Sequence, residues 1–268
     1  MNRIEDYSIL RKEIIGWIKN YCIDSNIHSL VVGVSGGIDS AVVSALCAGT
    51  KMKTYLVGMP IHQEASQENF SDLHMNELSD KYSNIEILKF DLTSVFESFK
   101  KAITVKSQLI DQNLLALANS RSRLRMVTLY QIAQHYSGIV VGTGNKVEDY
   151  GIGFYTKYGD GGVDIAPIAD LYKTEVYNLG IQMQVNNAII EAPPTDGLWD
   201  DARTDEEQIG ATYKSLEWIM EHGLDVPIEQ LSTEELNALN IFNNFHQKNK
   251  HKMESIPTFY LKNDSTLG

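Results

Sequence analysis

The chain has 268 residues, of which 43% are hydrophobic and 22% charged, and its formal net charge is −12. This acidic balance argues against a nucleic-acid partner, because such a protein needs a basic surface that neutralises phosphates. Two cysteines are too few for a disulfide framework, and no apolar run is long enough to cross a membrane. The N-terminal residues carry acids and bases where a secretory signal would be apolar, so we expect a cytoplasmic protein.

The first half of the chain alternates residues at helical spacing with short apolar, β-branched runs. The predicted strands are residues 29–34, 53–59, 84–90 and 138–142. The predicted helices are residues 6–21, 38–48, 64–82 and 109–136. Because parallel strands are joined by crossover helices, this alternation predicts an α/β fold with a doubly wound, mainly parallel sheet and flanking helices.

The second half of the chain is predicted to be mainly helical. Its helical patterns cover residues 172–184, 205–222 and 233–249. The segment 191–203 contains two prolines and a glycine, and long loops of this kind often act as lids. Residues 250–268 show no clear period. No internal repeat or linker interrupts the chain, so we expect one domain with a helical C-terminal part.

Glycines follow the first and fourth predicted strands, at the edge of the sheet where such folds bind ligands. Residues 35–40 read Ser-Gly-Gly-Ile-Asp-Ser. Adjacent glycines let the backbone approach an anion, and the N–H groups at a helix start favour phosphate. Neither the lysine-containing phosphate loop nor the Rossmann glycine pattern is present. The plain alternative is a Gly-Gly turn before a capped helix, which the strand context and the complete hexad disfavour.

This hexad resembles the pyrophosphate-binding loop of the N-type ATP pyrophosphatases, which cleave ATP between the α and β phosphates. Residues 142–148, 153–164 and 250–252 resemble the NAD synthetase family, in order and at matching spacing. The resemblance covers almost the whole chain and implies an adenine nucleotide alpha-hydrolase-like fold, with a single NAD synthetase domain over residues 1–268. It also implies ammonia as the nitrogen donor. Glutamine-using members carry an N-terminal glutaminase domain, which we expect to be absent.

The resemblance implies roles for individual residues. The ATP-binding positions are Gly33, Val34, Ser35, Gly36, Gly37, Ile38, Asp39, Ser40, Thr143, Lys173 and Thr195. The positions that bind deamido-NAD are Arg123, Lys157, Asp164, His251 and Lys252. Asp39 and Glu148 are the expected Mg²⁺ ligands. The expected catalytic residues are Asp39, Lys173 and Asp164, the last as a candidate for holding or deprotonating the incoming ammonium.

The reaction implied by the resemblance starts with attack of the nicotinate carboxylate on the α-phosphorus of ATP, the co-substrate. Pyrophosphate leaves, and ammonia then displaces AMP to form the amide. The family is also typically a homodimer. Residues 62–67 depart from the family, because members often carry an arginine there and this chain does not.

Several alternatives stay open at the level of sequence. Arg121, Arg123 and Arg125 lie on one predicted helix, and their spacing turns them to different faces, so Arg123 is favoured as the single ligand contact. A tRNA-modifying ligase would need a basic surface and often paired cysteines. A catalytically silent nucleotide-binding module would be expected to lose Asp39 and Glu148, which this chain retains.

Overall fold

The computed structural model describes residues 3–62, 65–103, 110–195, 204–223 and 225–261. The strands are β1 (Ser29–Gly33), β2 (Lys53–Gly58), β3 (Ile85–Lys89) and β4 (Gly138–Val140). The α-helices are α1 (Tyr7–Asp24), α2 (Ile38–Gly49), α3 (Ala65–Lys81), α4 (Thr93–Ala102), α5 (Ile110–His135), α6 (Lys173–Gln182), α7 (Asn187–Ile190), α8 (Asp205–Ile209), α9 (Tyr213–Trp218) and α10 (Thr233–Met253). Turns of π-helix cover Val147–Ile152 and Ile219–Gly223, and a 3₁₀ turn covers Ile228–Gln230.

The four strands form one parallel sheet in the order β3-β2-β1-β4. Ser29 at the start of β1 pairs with Lys53 of β2 on one side and with Gly138 of β4 on the other. An isolated parallel bridge between Val141 and Ile165 continues the alignment beyond β4. The doubly wound α/β fold is confirmed, and the carboxyl ends of β1 and β4 lie side by side.

Both faces of the sheet are covered, because successive side chains of a strand point to opposite sides. Leu30 and Val32 of β1 are fully buried in the core that the sheet shares with α1, α2, α3 and α6. Val31, between them, packs on the opposite face with Phe96 of α4 and Leu129 of α5. Two hydrophobic layers therefore hold the strand ends in place from above and below.

A third core lies beneath the C-terminal helices. Leu216 of α9 and Phe242 of α10 pack with Val147 and Ile152, which begin and end the first π-helical turn. This packing places the turn at the carboxyl end of β4, next to the glycine-rich turn after β1. The predicted helical C-terminal part is thus attached to the sheet at its ligand-binding edge.

Two helix predictions for this part are wrong in detail. The predicted single helix over residues 205–222 ends at Ile209, because Gly210 has φ of +83° and breaks the helix. A new helix, α9, then begins after the side chain of Thr212, which caps it. Helix α10 continues to Met253, so residues 250–253, which showed no period, are helical.

Helix α10 begins with a reciprocal capping box between Ser232 and Glu235, and α8 begins with the same arrangement between Thr204 and Glu207. The remaining predicted boundaries agree with the structure to within a few residues. The short helices α4 and α7 are not among the predicted elements.

In the part of the chain that the structure describes, every helix falls short, in length or apolar character, of what a bilayer crossing requires. Cys22 and Cys47 are both fully buried and form no disulfide. Burial raises the pKa of both thiols above the ordinary value. Both cysteines therefore serve as small apolar side chains between α1 and α2.

Candidate active site

The glycine-rich turn places the first N–H groups of α2 at the carboxyl edge of the sheet. Gly36 has φ of +92°, a conformation that glycine adopts without strain, and Gly37 is the extended residue that precedes the helix. The hydroxyl oxygens of Ser35 and Ser40 lie 3.1 Å apart, and Ser40 Oγ donates to the carbonyl of Gly37 at 2.9 Å. This geometry combines a helix N-terminus with two hydroxyl groups, which suits a phosphate.

The other residues of the turn form its buried base. Gly33 ends β1, and the backbone N–H of Val34 donates to the carbonyl of Val57 in β2 at 3.0 Å. Ile38 begins α2 and is buried in the core. The hydroxyl of Ser71 on α3 donates to the Val34 carbonyl at 2.8 Å. The turn is therefore held from the sheet and from two helices.

Three charged side chains meet beside this turn, and we call Asp39, Glu148 and Lys173 the charged triad. Asp39 lies in the first turn of α2, Glu148 in the first π-helical turn and Lys173 at the first position of α6. The ammonium of Lys173 is 2.6 Å from Asp39 Oδ2 and 3.0 Å from Glu148 Oε1. The Lys173 side chain is only 3% exposed. Residues far apart in sequence thus converge on one buried cation.

The charges of the triad depend on one another. Burial would lower the pKa of Lys173, but the two carboxylates outweigh it and raise the pKa, so the ammonium stays protonated. Burial acts to raise the pKa of both carboxyls, whereas the Lys173 ammonium acts to lower it. The result is a raised pKa for Asp39 and a lowered one for Glu148. One cation between two carboxylates leaves the triad with a net negative charge when both are ionised.

The four basic or histidine residues predicted to bind deamido-NAD lie together, and we call Arg123, Lys157, His251 and Lys252 the basic cluster. Arg123 Nε donates to the carbonyl of Lys157 at 3.2 Å, and Lys157 Nζ donates to the carbonyl of His251 at 2.6 Å. Lys252 Nζ donates to two carbonyls of the 153–155 segment, at 2.8 Å and 2.7 Å. Burial lowers the pKa of Lys252. The cluster joins α5, the segment after the first π-helical turn and the end of α10.

Of the three neighbouring arginines on α5, Arg123 contacts this cluster, and the other two have partners elsewhere. Arg121 lies over the ring of Phe96, with its guanidinium carbon 5.0 Å from the ring centroid. Arg125 Nε donates to the carbonyl of Met59 at 3.1 Å. The three arginines therefore point to different faces of α5, as their spacing predicts.

Thr143 and Thr195 are predicted to contact ATP, and His62 begins the segment 62–67, in which this chain lacks the arginine often found in family members. Thr143 is partly buried just after β4, at the same edge of the sheet as the glycine-rich turn. Thr195 is partly buried and is the last described residue before the gap at 196–203. His62 forms a hydrogen bond with Glu97 at 2.8 Å, between its ring Nε2 and the carboxylate.

The segment 191–203, expected to act as a lid, lies mostly outside the described residues. The residues flanking the gap at 196–203 are described and are joined, because the N–H of Asp205 donates to the carbonyl of Pro194 at 2.9 Å. Asp205 itself is buried beside the charged triad, where it contributes to raising the pKa of Lys173. The loop therefore starts and ends next to the candidate active site.

The family model described as NAD synthase matches residues 10–256. The chain belongs to the NAD synthase family. The known reaction of this family is the ATP-dependent amidation of deamido-NAD to NAD, and the chain is a ligase of this type.

Individual relatives agree with the family assignment. The chain is 40% identical, over 76% of its length and 80% of the relative, to an NH₃-dependent NAD⁺ synthetase of Mesoplasma florum. It is 34% identical, over 92% of its length and 94% of the relative, to an NH₃-dependent NAD⁺ synthetase of Alkaliphilus oremlandii. Among solved structures, an NMN synthetase of Francisella tularensis superposes with a TM-score of 0.85 at 29% identity, covering 96% of this chain and all of that one.

Two residues of this NAD synthase family member contact the charged triad and were missed by the sequence analysis. Asn145 is fully buried; its Nδ2 donates to Asp39 at 3.2 Å, and its Oδ1 accepts from the backbone N–H of Glu148 at 3.2 Å. The hydroxyl of Tyr213 donates to Glu148 Oε1 at 2.6 Å. An Asn just before a turn is a familiar cap signal, which makes Asn145 detectable. Tyr213 lies 65 residues from Glu148 and has no local signal.

Asp164 lies apart from both groups. Its Oδ1 accepts from the hydroxyl of Tyr130 at 3.1 Å, and its Oδ2 accepts from the backbone N–H of Val140 at 2.7 Å. Burial and then this carboxylate raise the pKa of Tyr130 to about 12, so the phenol stays a hydrogen-bond donor. These hydrogen bonds attach Asp164 to α5 and to the last residue of β4. Within the described residues, they do not link Asp164 to the charged triad.

Proposed function

We propose that this chain amidates the nicotinate carboxylate of deamido-NAD with free ammonia, through an adenylated carboxylate. The observation that carries this proposal is the convergence of Lys173 on Asp39 and Glu148, beside a turn shaped for phosphate. Adenylation needs a buried cation where negative charge builds up on the triphosphate, and preorganised charges of this kind lower the barrier. The curated relatives that share 40% and 34% identity carry the name of this activity.

We assign the ATP triphosphate to the glycine-rich turn, with Thr143, Thr195 and Lys173 as further contacts. The N–H groups at the start of α2 and the hydroxyls of Ser35 and Ser40 are the donors at this position. The two hydroxyls bond to each other and to the turn, and both lie at the start of α2 where a phosphate would accept from them.

The carboxylates of the triad fit a magnesium ion. Mg²⁺ prefers hard oxygen ligands and is commonly bound through one or two carboxylates together with substrate phosphates. Asp39 and Glu148 supply two such groups, already close enough to share one cation. When bound, the ion would neutralise charge on the leaving pyrophosphate.

We assign the anionic and dinucleotide parts of deamido-NAD to the basic cluster. Arg123 and Lys157 present exposed or partly exposed cations, and His251 and Lys252 close the same region from α10. A pyrophosphate-containing substrate suits several cations placed together. Asp164 is assigned to deamido-NAD on the family resemblance alone, because its hydrogen bonds go to Tyr130 and Val140.

We further propose that the protein is a cytoplasmic homodimer. Exposed apolar side chains lie along α5, where Leu114, Leu115 and Val127 are 49%, 47% and 67% exposed. Several exposed apolar side chains on one helix suit an interface between subunits. Buried, reduced cysteines agree with a reducing compartment.

One observation favours a second candidate substrate, nicotinate mononucleotide. The Francisella tularensis structure with a TM-score of 0.85 is named an NMN synthetase. Both reactions amidate the same carboxylate, and the two substrates differ only in the AMP half of the dinucleotide. The basic cluster favours the larger substrate, and a comparison of kcat/KM for the two substrates decides between them.

The first experiment follows NAD, AMP and pyrophosphate together in a mixture of protein, ATP, Mg²⁺, deamido-NAD and ammonium. Equal amounts of NAD and AMP are expected. Asp39→Asn should lower the rate about a hundredfold, whereas Asp80→Asn, the same change at an exposed position of α3, should have no effect. Formation of ADP, or AMP release that does not depend on the dinucleotide, would refute the proposal.

A further inference from the structure

Lys173 begins α6, and carboxylates hold the backbone on either side of it. The N–H of Tyr172, before it, donates to Glu175 Oε2 of the same helix at 2.8 Å. The N–H of Thr174, after it, donates to Glu217 Oε1 of α9 at 3.0 Å. The first N–H groups of a helix have no partner inside the helix, so they need acceptors of this kind. The direction in which Lys173 leaves the helix is therefore fixed from both sides.

Glu217 is a buried carboxylate that makes two contacts with one residue. It is 9% exposed, and its Oε2 accepts from the hydroxyl of Thr174 at 2.6 Å. Together with the backbone contact, this hydrogen bond engages both oxygens of the carboxylate. Burying a carboxylate is costly unless hydrogen bonds replace its water. A two-point contact also fixes orientation, so a rotation of the first turn of α6 would break at least one of the two bonds.

Helix α9 also contacts the far end of the Lys173 side chain. Tyr213 lies four residues before Glu217, so both side chains project from the same face of α9. The ammonium of Lys173 lies 4.9 Å from the centroid of the Tyr213 ring, and the hydroxyl on that ring donates to Glu148. A cation over an aromatic face is attracted to it. One face of α9 thus contacts the ammonium of this lysine, one of its carboxylate partners and the backbone that follows it.

Apolar packing already attaches α9 to the start of α6. Leu216, next to Glu217, is fully buried in a core that also contains Tyr172. Attachment alone would not need a buried carboxylate, since buried ionic groups often add no stability when compared with apolar side chains. What Glu217 adds to the packing is direction, because it places two acceptors beside the residue that follows Lys173.

We propose that Glu217 is a positioning residue for Lys173, and that it acts through Thr174 to hold the ammonium beside the glycine-rich turn. This role rests on the function proposed above, in which Lys173 neutralises charge that builds up on the triphosphate. A lysine side chain is long and flexible, and a misplacement of about 1 Å at a reacting group can lower a rate about a hundredfold. Glu217 itself contacts no substrate in this assignment.

The test compares variants that change the contact in different ways. Glu217→Ala removes both hydrogen bonds. Glu217→Gln removes the charge, but its amide can still accept from the Thr174 N–H and donate to the Thr174 hydroxyl. Thr174→Val keeps the backbone N–H and removes only the hydroxyl. Glu13→Ala, on the exposed surface of α1, is the matched control.

Exchange of labelled pyrophosphate into ATP, with deamido-NAD and without ammonium, reports the adenylation step in which Lys173 acts. Glu217→Ala should lower the maximal exchange rate about 30-fold. The KM for deamido-NAD should stay unchanged, because the basic cluster is untouched. Glu217→Gln and Glu13→Ala should stay within about threefold of the wild-type rate, and Thr174→Val should fall between these values and that of Glu217→Ala.

A second measurement separates positioning from a loss of stability. In the Lys173→Met background, Glu217→Ala should lower the exchange rate less than about twofold, because its effect passes through the missing ammonium. A structural role would instead lower the rate by the same factor in both backgrounds. The same cycle with Thr174→Val, which leaves the carboxylate its backbone hydrogen bond, keeps the test valid should Glu217→Ala fail to fold.

Three results would overturn the proposal. They are equal factors in the two backgrounds, an exchange rate that Glu217→Ala leaves unchanged, and a Glu217→Gln variant as impaired as Glu217→Ala. Absence of dinucleotide-dependent exchange in the wild type would instead show that the proposed function is wrong.

Discussion

The buried pair formed by His74 and Ser44 should make this protein sensitive to mild acid. His74 on α3 is 2% exposed, and its ring Nε2 lies 2.9 Å from the hydroxyl of Ser44 on α2. Ser44 Oγ donates to the carbonyl of Ser40 at 2.7 Å, so the imidazole Nε2 acts as the donor to Ser44. Burial lowers the pKa of His74 from 6.5 to about 4.

The direction of the effect follows from proton binding. Below pH 6.5 the unfolded chain takes up a proton at this histidine, whereas the folded chain does so only near pH 4. Stability is therefore lost as the pH falls through this window. The whole shift corresponds to about 3 kcal/mol, and roughly 2 kcal/mol of it is lost between pH 7 and pH 5.

Urea unfolding of the wild type and of His74→Gln at pH 7 and pH 5 measures this contribution. Glutamine can still donate to Ser44 but does not titrate, so the variant should lose about 2 kcal/mol less than the wild type between the two pH values. His28→Gln, at an exposed position, should match the wild type. Equal losses for His74→Gln and the wild type would refute the reasoning.

Three further predictions concern other parts of the molecule. Lys173→Met leaves two buried carboxylates without their cation, so it should lower the free energy of unfolding in urea by about 3 kcal/mol. Added Mg²⁺ should restore part of this free energy, and an unchanged free energy of unfolding in the variant would contradict the ion-pair account. Ser232→Ala removes the cap of α10 and should lower the free energy of unfolding by about 1 kcal/mol, whereas an unchanged value would mean that the cap is dispensable. Gly153→Ala should cost about 2 kcal/mol or more, since φ is +63° and the new Cβ would lie 2.5 Å from Asn249 Cβ; a melting temperature equal to that of the wild type would contradict this.

The sheet and its first turn are predictable because their signals are local. Residues 29–33 form a short β-branched run that is followed at once by glycines and a small-residue helix, and each signal agrees with the next. Helix α4 is not among the predicted elements, although Leu92, Phe96 and Phe99 recur at helical spacing. The helix has only 10 residues, so its pattern is short.

The candidate site is less predictable, since its contacts join distant segments. The residues of the triad come from positions 39, 148 and 173, and the pairing of Lys173 with two carboxylates cannot be derived from any local pattern. The family resemblance supplied the positions but not the geometry. It likewise gave no indication of Tyr213, whose hydroxyl holds Glu148 from a helix in the C-terminal part.

The buried ions of this site contribute to function more than to stability. Replacing buried ion pairs with apolar side chains is often neutral or stabilising, so the triad is not needed to hold α2 and α6 together. Those helices already share a hydrophobic core in which Val42 and Val176 are fully buried. What the triad provides is a set of charges fixed before substrates arrive, with two carboxylates and one cation among Asp39, Glu148 and Lys173. This excess of negative charge suits the magnesium ion that we propose to enter with ATP, and the substitution at Lys173 measures how strongly the two carboxylates depend on a cation.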